Sequence, residues 1–301
     1  MVHGKSIRIF LTEGSANGLL TAEIVNWTGQ VVSAPRSKLG SLLAREECQK
    51  TGIYFLLGEN TEPPFYPHVY IGESDTVANR LKDHGKTAEQ GGKDFWEKVC
   101  VVTSQDRNLT KAHIRYLEKR LIQMAAESGR CELHNANTGF NNTALPEADM
   151  AAMEYFLEQV QVLLPVLGFD FLKAPARRPV VTASVEAQTP TTDNQFYIKN
   201  GAVDALMVEN DGEFVVLAGS RISPTVSESA QKSGYNKTLR PYLFEHKHVD
   251  EQTHTFLHDY PFKSVSAAAE VILGRSANGR TEWKNCQSHA SYAKTKAAEL
   301  E

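Results

Sequence analysis

Two tyrosines in neighbouring apolar segments are the first residues whose type and spacing suggest chemistry. The stretch GIYFLLGEN carries Tyr54, and HVYIGES carries Tyr70. Both segments have the composition of short β-strands, and a proline-rich loop lies between them. If the strands pair, the two phenols can face one pocket and activate a water molecule or bind a phosphate oxygen. The alternative is that both rings are half-buried packing residues, as strand tyrosines commonly are.

A helix predicted after the second segment would present an arginine and a histidine on one face. The segment DTVANRLKDH places Arg80 and His84 four residues apart, which is about one helical turn. An arginine can bind a phosphate through two parallel N–H groups and stabilise charge that develops in a transition state. The same residues also fit a solvent-exposed helix face, with Lys82 and Asp83 beside them.

The clearest helical pattern of the chain carries a carboxylate at the edge of its apolar stripe. This helix is predicted over residues 109–128, and Glu118 falls beside Ile114 and Ala125. A carboxylate at a buried edge is costly unless it is paired or binds a cation. A Mg²⁺ ion suits a single carboxylate combined with water and substrate phosphate. An ion pair with Arg80 or Lys111 is the competing interpretation.

The segment CELHNANTGFNN is dense in amide side chains that can hydrogen-bond a phosphate or a water held by a metal ion. Turn chemistry accounts for the same composition. The residues alone do not choose among Asn135, Asn137, Asn141 and Asn142.

Taken in order, these residues resemble the GIY-YIG endonuclease superfamily. Both namesake triplets stand at residues 52–54 and 70–72, and Arg80, a helical Glu118 and Asn135 follow. The resemblance covers residues 50–140 and extends over 5–172, as in larger bacterial proteins of the group. It implies an α/β (α+β) fold with a small three-stranded antiparallel sheet flanked by helices. It also implies a phosphodiester hydrolase that cuts DNA with one Mg²⁺ or Mn²⁺ ion, with RNA as an alternative substrate.

The resemblance gives each matched residue a role. Tyr54 or Tyr70 would position or deprotonate the attacking water, and the choice between them stays open. Arg80 would stabilise the charge that develops on the phosphate, and His84 sits where relatives have a tyrosine or a histidine. Glu118 would be the sole protein ligand of the metal.

Asn135 would hold the far side of the site in this scheme. One position departs from the family pattern, because Glu73 stands where many relatives have a lysine or a similar donor. A carboxylate there repels phosphate, and Lys82 or Lys86 are the candidate substitutes.

The charge of the chain argues against binding nucleic acid through bulk electrostatics. The formal net charge is −4 over 301 residues, so DNA binding would require a local positive face. This charge and Glu73 favour a second hypothesis. In it, the chain binds nucleic acid or recruits a partner on a nuclease-like scaffold and has little turnover.

The chain is predicted to contain two folded parts. A nuclease-like domain at residues 1–172, with strands at 6–12 and helices at 18–27 and 109–128, precedes a proline-rich linker at 173–195. Residues 196–290 are expected to form a smaller α+β module, and 291–301 a frayed polar tail. The module, through FKSVSAAAEVILGRSANGRTEWKN, resembles the uncharacterised domain DUF4357 and is a candidate for DNA targeting or for docking a protein partner. Ser266 and Trp283 are either recognition residues or a helix cap and a core aromatic.

The four cysteines are Cys48, Cys100, Cys131 and Cys286, and they form no CxxC or CxxxH pattern. This spacing favours reduced thiols in a cytoplasmic protein over a disulfide framework or a zinc knuckle. No apolar run approaches the length that spans a membrane, and the first residues lack a signal-peptide pattern, so no membrane association is expected.

Overall fold

A computed structural model describes residues 4–61, 66–135, 145–173, 194–210, 212–232 and 234–300. These residues form two compact units, one up to residue 173 and one from residue 194 onward. Residues 174–193 of the predicted linker, 173–195, lie outside the described residues. The mixed strand and helix content of the two units gives the chain the expected α+β class.

The first unit is built on a seven-stranded sheet with helices on both faces. Its strands are β1 (Ile7–Leu11), β2 (Leu20–Ile24), β3 (Gly29–Pro35), β4 (Gly52–Gly58), β5 (His68–Ser74), β6 (Lys98–Ser104) and β7 (Glu132–Leu133). Its helices are α1 (Leu39–Leu43), α2 (Val77–His84), α3 (Lys111–Ser128) and α4 (Glu147–Val166), with 3₁₀ turns at Arg36–Lys38, Glu46–Gln49 and Ala88–Gln90.

The sheet is larger than the three strands expected from the sequence. Its order is β1-β2-β3-β6-β4-β5-β7, in which β6, β4 and β5 form the expected antiparallel trio. The predicted helix over 18–27 is wrong, because these residues form β2. Ala22 and Ile24 are buried at a spacing of two, which is the period of a strand, and Asn26 turns the chain back with a φ of 67°.

The two faces of the sheet bury different helices. Ile53 and Phe55 of β4 pack with α3 and α4, whereas Tyr54 and Leu56 pack with α1 and α2. Successive strand residues point to opposite faces, so the GIY triplet contributes its isoleucine to one core and its tyrosine to the other.

The predicted helix over 109–128 is confirmed as α3. Its first residue follows Thr110, whose side chain accepts a hydrogen bond from the backbone N–H of His113. The helix ends at Gly129, whose φ of 62° lies in the left-handed region that glycine tolerates. The stripe residues Ile114, Leu117 and Leu121 are fully buried, so the register of Glu118 on the helix is fixed by the core.

The second unit contains a five-stranded antiparallel sheet and several short helices. Its strands are β8 (Gln195–Asn200), β9 (Val203–Asn210), β10 (Glu213–Val216), β11 (Tyr260–Phe262) and β12 (Lys284–Asn285), in the order β11-β10-β9-β8-β12. Its helices are α5 (Glu228–Gln231), α6 (Gly234–Lys237), α7 (Leu239–Glu245), α8 (Val265–Leu273), α9 (Gly279–Glu282) and α10 (Tyr292–Ala298).

Two expectations for this unit are decided by the structure. Trp283 is fully buried and donates its indole N–H to the carbonyl of Val265 at 3.0 Å, so it is a core aromatic. Within the polar tail expected to fray at 291–301, Tyr292–Ala298 form α10. Tyr292 anchors this helix, since its ring lies 5.0 Å from that of Phe196 and its hydroxyl donates to Glu209.

All four cysteines are free thiols. Within the described part of the chain, none of the helices combines the length and the hydropathy needed to cross a bilayer.

Candidate functional site

The register between β4 and β5 places the two tyrosines on one face of the sheet. Tyr54 pairs with Gly72, and Tyr70 pairs with Leu56, two residues along the same strand. The two rings lie with their centroids 6.2 Å apart. Gly72 makes this arrangement possible, because a Cβ atom there would lie 2.4 Å from the hydroxyl oxygen of Tyr54. The glycine of the YIG triplet therefore leaves room for the phenol of the GIY triplet.

Helix α2 adds His84 and Arg80 to the same face. The hydroxyl of Tyr54 lies 2.9 Å from Nε2 of His84, and both side chains are buried. Arg80 lies one turn earlier and is exposed, and its guanidinium interacts with both tyrosine hydroxyls. The predicted spacing of four residues thus puts a buried imidazole and an accessible cation beside one phenol.

Glu118 reaches this site from a helix on the other face of the sheet. Helix α3 packs against Ile53 and Ile71 on that opposite face, yet Glu118 lines the same pocket as Tyr54 and Arg80. The pocket lies at the edge of β5, and the backbone N–H of Glu73 on that strand hydrogen-bonds the Glu118 carboxylate. The edge of the sheet is therefore where side chains from both faces meet.

The resulting pocket has a volume of about 480 Å³ and is mainly polar. Residues from both faces of the sheet line it, and those that bear on its chemistry are Tyr54, Tyr70, Arg80, Glu118, Glu73 and Lys111. Four of the six predicted catalytic residues thus share one cavity, and His84 contacts it through Tyr54. Their catalytic roles stay predictions.

Asn135 occupies a different place from the one expected. Its side-chain amide donates to the carbonyl of Ile71 at 2.7 Å and accepts from the N–H of Ile71 at 3.0 Å. It does not belong to the lining of the pocket. Where β7 ends, the Asn135 side chain makes the two backbone hydrogen bonds to Ile71 that a neighbouring strand would otherwise make. Asn135 therefore stabilises the edge of β5 that carries Glu73. The alternatives Asn137, Asn141 and Asn142 lie outside the described residues.

Glu73 forms an ion pair with Lys111, which is not among the predicted phosphate ligands. The Nζ atom of Lys111 lies 2.6 Å from a carboxylate oxygen of Glu73 and 3.3 Å from one of Asp75. The candidates Lys82 and Lys86 are not in the pocket lining, and Lys86 pairs with Asp83 at 2.7 Å. Lys111 therefore contributes an ammonium group to the lining of this pocket.

A second cation, Lys93, lies over the ring of Tyr70 at 4.2 Å from its centroid. Its backbone N–H donates to the carbonyl of His84. Lys93 comes from a loop with no helical or strand pattern, so spacing in the sequence gives no signal for it. Lys111 stands at the first residue of α3, about two helical turns before Glu118. That spacing could have indicated a shared side of the helix.

Burial sets the protonation states in the pocket. Burial raises the pKa of the Tyr54 phenol, and burial lowers the pKa of His84 to about 4 with help from Arg80 and Lys93. Both groups are therefore neutral near pH 7. Burial, and then the charge of Glu73, raises the pKa of Glu118 to about 7.

The carboxylate of Glu118 fits a hard divalent cation. It is half-buried beside a second carboxylate, Glu73, and both conditions raise its pKa. A positive charge bound nearby would favour the ionised form of Glu118. Mg²⁺ and Mn²⁺ bind carboxylate oxygen and retain several waters, and the open, polar cavity has room for them. Glu118 is the residue that would hold such an ion.

Comparison with known proteins identifies the C-terminal part alone. Residues 196–295 match the family model described as domain of unknown function (DUF4357). No curated protein matches the chain, and no solved structure does. The match covers about a third of the chain and does not extend to the pocket. The comparisons therefore give no support to the resemblance of residues 50–140 to the GIY-YIG superfamily, which stays a prediction from the sequence. The C-terminal unit contains a DUF4357 domain.

Proposed function

We propose that the first unit is a GIY-YIG-type endonuclease that hydrolyses phosphodiester bonds of DNA with one Mg²⁺ or Mn²⁺ ion. The observation that carries the proposal is the meeting of Tyr54, Tyr70, Arg80 and Glu118 in one pocket. These residues come from two strands and two helices. A pocket that joins a phenol, a guanidinium and a half-buried carboxylate suits a phosphate ester and a cation better than an apolar ligand.

The contact between Tyr54 and His84 supports a route for a proton. In this scheme, the oxygen of a water molecule bonds to phosphorus as the P–O bond to the leaving oxygen breaks. The water proton passes to the Tyr54 oxygen, the Tyr54 proton passes to Nε2 of His84, and the leaving oxygen takes a proton from solvent. Tyr54 does not need to become a free phenolate, which its burial disfavours. His84 is a weak base beside Arg80 and Lys93, and a phosphate bound at Arg80 would raise its basicity.

Arg80 and an ion held by Glu118 would stabilise different oxygens of the phosphate. Arg80 is exposed and directed at the pocket, so its N–H groups can bind a non-bridging oxygen and stabilise the charge of the transition state. An ion held by Glu118 would polarise the phosphate and stabilise the leaving oxygen. Tyr70, half-buried beneath Lys93, would orient the water or the phosphate.

A second candidate function has an observation in its favour. Lys111 is engaged by Glu73 and Asp75, which leaves the pocket with less positive charge for phosphate than a lysine at position 73 would give. A protein that binds nucleic acid or a partner without turnover is consistent with that balance. The DUF4357 domain would contribute DNA targeting or a protein partner in either case.

Binding and cleavage measured together separate the two candidates. The nuclease proposal predicts that Glu118→Ala abolishes Mg²⁺-dependent cleavage without weakening DNA affinity in EDTA, whereas Arg80→Ala weakens both. DNA binding with no cleavage of any DNA or RNA substrate by the wild-type protein would favour the second candidate. Removing residues 190–301 tests the C-terminal role, since an unchanged affinity and cleavage pattern would contradict it.

A further inference from the structure

A second group of metal-ligating side chains lies on the first unit, outside the pocket described above. β5 and β7 run parallel, and His68 is paired in register with Glu132. Residues opposite each other in a sheet point to the same face, and His134, two residues after Glu132, points there as well. The register of these two strands therefore brings His68 together with Glu132 and His134, which lie 64 and 66 residues later in the sequence.

The ligand atoms of the three residues are close enough to share one metal ion, and without an ion they contact one another through hydrogen bonds and ion pairs. Nε2 of His134 lies 3.0 Å from Nδ1 of His68, and Nδ1 of His68 lies 3.3 Å from a carboxylate oxygen of Glu132. The other oxygen of Glu132 lies 3.9 Å from Nε2 of His134. Ligands about 2.0–2.1 Å from a tetrahedral zinc ion are about 3.3 Å from one another. Little movement is needed for the three groups to share one ion.

The rings are held in this orientation by an aromatic side chain. Phe95 stacks on His134 with 4.1 Å between ring centroids and 15° between planes, and it meets His68 edge-on at 6.1 Å. Metal-binding histidines are commonly fixed in orientation by their surroundings. Phe95 therefore restricts rotation of the two imidazole rings before any ion binds. Less conformational entropy would then be lost on metal binding.

We propose that His68, Glu132 and His134 bind one divalent transition metal ion of the zinc class, with a fourth position open to solvent. Two imidazole nitrogens and one carboxylate oxygen suit Zn²⁺, Co²⁺ or Ni²⁺, whereas Mg²⁺ prefers oxygen ligands alone. The side chains are accessible, with exposed fractions of 24% for His68 and 32% for His134. Within the described residues, this is the group of three or more metal-ligating side chains whose ligand atoms converge.

The ion would fasten β7 to β5 next to the candidate nuclease pocket. β7 is only two residues long, and the N–H of His134 continues its pairing with a 2.8 Å bond to the carbonyl of Val69. Asn135 then holds Ile71. A metal bridge between His68 and His134 would stabilise this edge, on which Tyr70 and Glu73 also lie. The proposal does not depend on the nuclease function, because none of its three ligands is assigned to catalysis.

Zinc binding to the tag-free, full-length chain tests the proposal. The protein is stripped with EDTA, dialysed and titrated with Zn²⁺ against a chromogenic chelator, and Co²⁺ is used as a spectroscopic probe. We expect one Zn²⁺ per chain, visible Co²⁺ d–d bands of tetrahedral intensity, and a Zn²⁺-dependent rise in Tm. His68→Gln and His134→Gln should each lose binding, and Glu132→Gln should weaken it at least about tenfold.

Two matched variants keep the result specific. His258 is an exposed histidine of the second unit, so His258→Gln should bind Zn²⁺ as the wild type does. Lys86→Gln is the second control, since Lys86 pairs with Asp83 and offers no ligand to the three-residue group. Absence of Zn²⁺ binding by the wild-type chain would overturn the proposal. So would unchanged Zn²⁺ affinity in the two histidine variants, or a sulfur-to-cobalt charge-transfer band, which would assign the ion to a cysteine. If a histidine variant fails to fold by circular dichroism, Glu132→Gln and the cobalt spectrum of the wild type decide the outcome.

Discussion

The hydroxyl group of Tyr54 lies 2.9 Å from Nε2 of His84, in a buried contact that joins β4 to α2. Tyr54 and His84 are 30 residues apart in the sequence, and this contact makes them candidates for transferring a proton to one another. Tyr70 lies on the same face, and its ring centroid is 5.1 Å from that of His84. Arg80 interacts with both tyrosine hydroxyls, and the hydroxyl of Tyr54 contacts His84 as well, which gives a way to tell the roles of the two tyrosines apart.

We expect Tyr54→Phe and His84→Gln each to lower kcat for DNA cleavage about 100-fold, the usual contribution of general base catalysis. Because the two groups act as one unit, the double variant should be little worse than either single variant. Tyr70→Phe should have a smaller effect on kcat. The measurement is a double-mutant cycle on single-turnover rates. Additive losses for Tyr54 and His84 would mean that they do not share a proton.

A methyl group at position 72 should displace the phenol of Tyr54. In Gly72→Ala the added Cβ would lie 2.4 Å from the Tyr54 hydroxyl oxygen and 2.4 Å from the ring carbon that carries it. Overpacking of this kind destabilises a core by about 1–3 kcal/mol, and cleavage should fall with it. Denaturant unfolding and cleavage rates check both effects.

Gly40→Ala is the matched control for that variant. Gly40 lies in α1, and a Cβ there would meet no atom within 4 Å. Alanine is favoured over glycine inside a helix by about 0.5–1 kcal/mol, so this variant should be as stable as the wild type or more stable. Equal stability of the two alanine variants would contradict the close approach at Gly72.

Glu118 should destabilise the metal-free protein at alkaline pH. Its folded pKa of about 7 is higher than its unfolded value, so the folded state binds the proton more tightly, and stability from this group is lost as pH rises from about 4.5 to 7. In EDTA, Glu118→Gln should therefore raise the free energy of unfolding at pH 8 by about 1 kcal/mol, a value discounted for partial exposure. The gain should vanish by pH 4.5, where the carboxyl is protonated in both states. A gain that is equal at both pH values would refute the raised pKa.

Removing the charge of Glu73 should strengthen DNA binding. Glu73→Gln would break the 2.6 Å ion pair with Lys111 and remove a negative charge from the pocket, which leaves Lys111 with the weaker contact to Asp75 at 3.3 Å. We expect DNA affinity in EDTA to rise about threefold to tenfold at low salt, with a steeper dependence on salt concentration. Fluorescence anisotropy against salt measures both quantities. An unchanged affinity would mean that DNA does not reach this pocket.

Local sequence patterns predict helix α3, whereas the identity of strand β2 depends on its pairing with other strands. The apolar stripe of 109–128 predicted α3 and placed Glu118 at its edge, since the buried side of a helix follows from its periodicity. The helix predicted over 18–27 is wrong because the five-residue strand β2 within it carries too few alternations to define a period. Its identity comes from pairing with β1 and β3.

The fine structure of the two sites depends on partners that are distant in the sequence. The ion pair of Lys111 with Glu73 and the pairing of Asn135 with Ile71 follow from how α3 and β7 lie along β5. The meeting of His68 with His134 follows from the parallel pairing of β5 with β7. None of these contacts leaves a local pattern, because the residues are separated by loops of unrelated composition.

The most direct test of the central claim is a cleavage assay across plasmid, linear and branched DNA and RNA, with Mg²⁺ titrated from zero. We predict Mg²⁺-dependent cleavage by the wild type, at a rate at least about 100-fold above that of Glu118→Gln. Glu127→Gln, an exposed carboxylate on the same helix that accepts a hydrogen bond from Gln123, should cleave as the wild type does. Failure of the wild type to cut any substrate, or equal cleavage by the Glu118 and Glu127 variants, would contradict the account.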